Sequence, residues 1–167
     1  IVEVEAYIES KLKYLDFYRM GLLNLKMNRY DKALEYFEHC IYEKHTDALV
    51  LNHRWYIHLQ RSDYDLARMD LEAAIFYAPD YPDAYSNQGL LKIRTRDLDG
   101  GFQDLQQALA MDDKNPAVYY HLGIYYELER DFPPSLANFQ KAADMGYEFH
   151  GLAMKIAEIE GFIELNS

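Results

Sequence analysis

Residues Tyr119–Ala142 read YYHLGIYYELERDFPPSLANFQKA, and their layout decides the fold. An apolar-aromatic run with one embedded small residue, Gly123, has the length and period of a helix. A polar break follows and ends in Pro133-Pro134. A second helix then carries Ser135, Phe139 and Ala142 at helical spacing. Shifted toward the N-terminus in steps of 34 residues, the same skeleton returns. Small residues stand at Gly21, Gly89 and Gly123, with Trp55 in the register between the first two. A second small series is Ala33, Ala67, Gly101 and Ser135, and a third is Cys40, Ala74, Ala108 and Ala142. Large apolar residues run beside them at Phe37, Leu71, Leu105 and Phe139. Tyr30, Tyr64, Leu98 and Phe132 open the second helices. Five parallel series in one register, with no insertion or deletion, define a chain of repeated helix pairs.

The pattern resembles the tetratricopeptide repeat (TPR) family, whose 34-residue unit reads W-x2-L-G-x2-Y, then A-x3-F, then P. The resemblance covers four units, 14–47, 48–81, 82–115 and 116–149. It is carried best by the second helices, YDKALEYFEHCI from Tyr30, YDLARMDLEAAI from Tyr64 and LDGGFQDLQQAL from Leu98. It implies an all-α fold, a right-handed superhelical solenoid of antiparallel helix pairs with a C-terminal capping helix. Departures are visible. The family's first-helix Tyr is Asn24, His58 and Lys92 here, and only Tyr126 matches. Trp55 replaces a glycine, so the second pair must be spaced differently or the ring must turn outward.

The ends are expected to close a single domain over 1–167. Ile1, Val4, Ile8 and Leu12 share a helical face, so 1–13 reads as a cap or as the second helix of a truncated preceding repeat. Residues 150–164 read as the capping helix. Leu152, Ile156, Ile159 and Ile163 lie on its apolar face, Ala157 stands in the glycine register, and Lys155, Glu158, Glu160 and Glu164 are left for solvent.

Half of the 167 residues are hydrophobic, which places the chain among folded proteins and supplies a sizeable core. A formal net charge of −11 argues against nucleic acid as a partner, since phosphate binding needs a basic surface. No run approaches the roughly 18 apolar residues of a membrane span, so no membrane insertion is expected. The single cysteine, Cys40, excludes an internal disulfide and sits on a small-residue series, which predicts a packed, inert thiol. The start at Ile1 instead of Met is read as that of a piece of a longer chain, and a cytoplasmic setting is expected.

The family resemblance implies that the first helix of each unit lines a concave groove. Its rows here are Leu22, Tyr56, Leu90 and Ile124; Arg19, His53, Asn87 and His121; and Tyr18, Asn52, Ser86 and Tyr120, with Arg94 at an edge. An apolar row beside a polar one suits a peptide or helical segment, so the chain is expected to be a protein-binding scaffold or adaptor. A row that proves buried against its own chain cannot supply anchors. The alternatives are a bacterial secretion-type chaperone that shields an apolar segment and a self-assembling homo-oligomeric solenoid.

Some TPR domains clamp the C-terminal carboxylate of heat-shock chaperones with Lys and Asn. The matching positions here are Tyr18, Leu22, His53, Asp83 and Asn87, or Asn52, Tyr56, Asn87, Ala117 and His121, and neither set is a clamp. No metal or other cofactor is expected. His53 and His58 fall on different helix faces, and His39 has only Glu35 and Glu43 beside it. No G-x-S-x-G, phosphate loop or H-E-x-x-H occurs, so no enzymatic activity is expected.

Overall fold

A computed structural model describes residues 2–42, 47–148 and 151–165. Among these the chain forms nine helices and no strand. They divide into two compact units, Ile1–Ala84 and Tyr85–Ser167. The first holds α1 (Val2–Lys26), α2 (Tyr30–Tyr42), α3 (Ala48–Gln60) and α4 (Tyr64–Tyr77). Helix α5 (Pro82–Arg94) crosses the division. The second unit continues with α6 (Leu98–Met111), α7 (Pro116–Leu128), α8 (Phe132–Asp144) and α9 (Leu152–Leu165). Within each unit, consecutive helices pack as neighbours: α1 on α2, α2 on α3 and α3 on α4, then α6 on α7, α7 on α8 and α8 on α9.

The repeated residues are the contact surfaces. Ala33, Ala67 and Ser135, Phe37, Leu71, Leu105 and Phe139, and Cys40, Ala74, Ala108 and Ala142 are all 0 % exposed. The glycines bring backbones together. A Cβ on Gly89 would meet the carbonyl oxygen of Gly101 at 2.8 Å, and one on Gly123 would meet the Phe139 ring at 2.5 Å. Ser135 Oγ fastens the last pair by donating to Gly123 O at 2.9 Å. Trp55 is 4 % exposed, so the ring that replaces a glycine turns inward and the α3–α4 pair makes room for it. Among the described residues its Nε1–H has no hydrogen-bond partner.

Each first helix ends in the same way. Asn28, Ser62, Arg96 and Arg130 have φ of 56°, 62°, 73° and 60°. The next residue donates its N–H back five positions, Arg29 to Asn24 O, Asp63 to His58 O, Asp97 to Lys92 O and Asp131 to Tyr126 O, at 2.8 to 2.9 Å. This is a Schellman ending, which satisfies carbonyls that a helix terminus leaves open.

Two expectations change. Residues 2–13 are not a separate helix but run unbroken into the first pair as the N-terminal half of α1. No Gly, Pro or Asn stands between Lys11 and Arg19 to stop the helix. The closing helix, expected over 150–164, is α9; the boundary at Phe149 and the start at 150 lie outside the described residues. Lys155 is not left to solvent, because its Nζ pairs with Glu127 Oε1 at 2.7 Å and Oε2 at 2.6 Å. Ala157 keeps the glycine register yet is exposed. No helix among the described residues is long and apolar enough to cross a membrane.

Candidate functional site

In the first unit two rings of the expected rows come together. Tyr18 and His53 meet through the phenol oxygen and Nε2 at 3.1 Å, and the imidazole stacks on Phe37 at 5.9 Å. Burial lowers the His53 pKa against the opposing pull of Asp47 and Asp83. In the neutral ring the tautomer sets which of Nε2 and the Tyr18 hydroxyl donates. Burial, then the charge of Asp47, raises the Tyr18 pKa and keeps that hydroxyl protonated. Tyr14 stacks parallel to Tyr18, with ring centres 6.1 Å apart, and donates to Asp47 Oδ2 at 2.7 Å. The other oxygen of Asp47 caps α3 by accepting from Leu49 N at 2.9 Å.

Around this cluster the face stays open. Arg19 is exposed, Leu22, Asn52 and His53 are half-buried, and Tyr56 is 41 % exposed. Leu15 and Leu49 add exposed apolar surface. Spacing alone did not single out Tyr14, Asp47 or Tyr81. Tyr81 has its pKa raised by burial and then by Asp83. A capping Asp ahead of α3 was the one available signal.

In the second unit most of the predicted row is closed. Leu90, Tyr120, His121 and Ile124 are buried, at 6 %, 7 %, 4 % and 8 % exposure, so they fail as anchors. Tyr120 stacks on Tyr147 with ring centres 4.9 Å apart and packs on Phe139. His121 Nδ1 lies 2.8 Å from Ser86 Oγ, and burial lowers the imidazole pKa to about 4. Ile124 sits in a cleft of about 350 Å³ with Arg94, Glu127, Leu128 and Lys155, where the α9 lysine ties down the α7 glutamate. Asn87 is half-buried and Arg94 is exposed. The covering parts are Tyr147 and α9, which register within the repeats does not place.

Cys40 is buried, and burial pushes its thiol pKa up to about 11, which suits a packed and unreactive side chain. Among the described residues no group of three or more His, Cys, Asp or Glu is placed to hold a metal ion.

Residues 17–44 match the family model described as a tetratricopeptide repeat. A search of curated protein sequences finds no match. Among solved structures, a thermophilic TPR protein of Thermus thermophilus superposes with a TM-score of 0.78 at 18 % identity, over 90 % of this chain and 82 % of that one. Pseudomonas aeruginosa pilF gives 0.74 at 13 % identity, over 90 % and 69 %. The first TPR of Spaghetti (RPAP3), bound to the HSP90 peptide SRMEEVD, gives 0.60 at 14 % identity, over 70 % and 93 %. At these identities the likeness is one of fold. Residues 17–44 thus carry the match to a tetratricopeptide repeat, and the paired helices share the fold of these repeat structures.

Proposed function

We propose that the chain is a protein-interaction module that binds a peptide or helical segment of a partner, chiefly through α1 and α3. The observation that carries this is the open face of the first unit. There Leu22, Tyr56, Leu15 and Leu49 offer apolar surface beside Arg19, Asn52 and His53. Such a face combines anchors with hydrogen-bonding groups in the way helix- and peptide-recognition surfaces do. A related fold bound to a peptide adds support. The acidic chain, with net charge −11, favours protein over nucleic acid.

A peptide-array screen followed by calorimetry tests the reading. Leu22→Asp with Tyr56→Asp is expected to abolish binding of the selected peptide while melting stays near wild type, and unchanged affinity would overturn the site. The peptide SRMEEVD is expected not to bind, because the clamp positions hold Tyr18, Leu22, His53, Asp83 and Asn87.

A second reading, self-assembly, is favoured by one observation. Val4, Ile8 and Leu12 on the N-terminal half of α1 are 59 %, 51 % and 58 % exposed and form an apolar stripe. Mass that rises with concentration, and does not rise after Ile8→Glu, separates it from partner binding.

A further inference from the structure

The second helices of the repeats carry their own internal comparison. On α4, Leu66, Met69, Phe76 and Tyr77 are 47 %, 63 %, 79 % and 55 % exposed. At 3.6 residues per turn they share, with half-buried Ala73, a stripe about 100° wide. The same register on α2 begins with Lys32 and Glu35. On α6 it is Gly100, Gln103, Ala110 and Met111, and on α8 it is Pro134, Ala137, Asp144 and Met145. The third position on α2 is Tyr42, but α6 and α8 do without large apolar residues at the first three of these positions, so the fold does not require them there. The stripe on α4 is an addition to the repeat.

Its border is acidic. Asp65 and Glu72 are exposed along one edge, and Arg68 beyond them is engaged by Asp65 at 3.1 Å. Arg54 of α3, which binds Asp70 of α4 through Nε at 2.9 and 3.1 Å, also lines a cleft of about 570 Å³. Glu35, Glu38, His39 and Ile41 of α2 complete that cleft. The α4 stripe thus runs beside the exposed carboxylates Asp65 and Glu72, while the cleft of α2 and α3 is tied to α4 only through the Arg54–Asp70 pair.

We propose that the α4 stripe is a second docking surface, separate from the face of α1 and α3, and that its occupant is an amphipathic helix of another protein whose apolar side is flanked by Lys or Arg. Charge selects this occupant. At this stripe a second copy would set its own Asp65 and Glu72 against the same carboxylates. A basic flank meets Asp65 and Glu72 along the stripe and is steered toward them by the acidic chain.

The probes are two 18-residue helical peptides of identical leucine spacing, one completed with Lys and the other with Glu, followed by fluorescence anisotropy. The Leu/Lys peptide is expected to bind at least tenfold more tightly than the Leu/Glu peptide. Met69→Ser with Phe76→Ser should weaken it at least tenfold. Those side chains are exposed and the pair leaves the net charge unaltered, so the melting temperature should hold. Leu22→Ser with Tyr56→Ser, on the other face, should change it less than twofold. Three results would overturn the proposal: equal affinity for both peptides, unchanged affinity in the α4 variant, or loss in the α1–α3 variant instead. Sedimentation showing a dimer that the α4 variant dissolves would also overturn it, because the occupant would then be a second copy.

Discussion

His121 lies in the row expected to meet a partner, yet its ring is buried with Ser86 Oγ 2.8 Å from Nδ1. Its native pKa falls to about 4 from the ordinary 6.5. Below about pH 6.5 the unfolded ring binds a proton that the native ring refuses. The stabilising contribution is therefore whole above pH 6.5 and is lost as pH falls toward 4, by about 2 kcal/mol at pH 5. Urea denaturation of the wild type at pH 7 and pH 5 should show that loss, and His121→Gln should remove most of it. An imidazole that titrates near pH 6.5 by NMR would place the ring in water. Glycines separate in the same local way. Gly123→Ala sets a Cβ 2.5 Å from the Phe139 ring and should cost about 1–3 kcal/mol. Gly161→Ala, inside α9 with nothing within 4 Å, should gain about 0.5–1 kcal/mol, and thermal melts of the two variants give the signs. Register told that Gly123 is a contact point. It could not tell that His121 is one as well, because histidine at a first-helix position is compatible with either side of the surface.

At the scale of helix pairs, departures from the family pattern turn out to be matched. Where the family has Tyr, α3 has His58 and α5 has Lys92. Opposite them, 34 residues apart, stand Asp70 of α4 and Asp104 of α6. His58 Nε2 is 3.6 Å from Asp70, and Lys92 Nζ is 2.8 Å from Asp104. Asp70 also receives Arg54 through both Nε and a terminal guanidinium nitrogen. These two substitutions in a first helix are each answered by a carboxylate in the second, whereas Asn24 of α1 donates to Met20 O within its own helix. Asp70→Asn would leave a partly buried guanidinium without its counter-charge and should cost about 3 kcal/mol, the low end for breaking a buried pair. Chemical denaturation would read that cost, and a loss below about 0.5 kcal/mol would mean that water replaces the carboxylate. Element identity was legible from the small-residue spacing, which directly reports backbone approach. The continuous α1 was not legible. The apolar face of residues 1–13 fits a separate helix as well as an extension, and only the lack of a breaker before Arg19 favours the extension.

Over the whole molecule, repetition made the architecture readable and hid the differences between copies. Four similar pairs predict four similar faces. The face is open in the first unit and largely closed in the second, because Tyr147 covers Tyr120 and α9 reaches Glu127 through Lys155. Those covering residues follow the last repeat, where register has no further copy to compare. The apolar stripe of α4 escaped for the opposite reason, since an amphipathic helix with one extra apolar face still scores as a repeat helix. The left-handed turns at Asn28, Ser62, Arg96 and Arg130 carry a different consequence. None is glycine, so each holds a side chain where the backbone disfavours one. Ser62→Gly, Arg96→Gly and Arg130→Gly should each gain about 0.5 kcal/mol net of chain entropy, with Asn28→Gly gaining least because Asn tolerates this conformation. Each site closes a different helix, so combined variants should melt at temperatures set by the sum. A triple variant no more stable than the wild type would mean that the unfolded chain reclaims the gain. If the gains add, the molecule has a graduated scale of durability: rigidity set step by step at exposed corners, with every recognition surface left as it was.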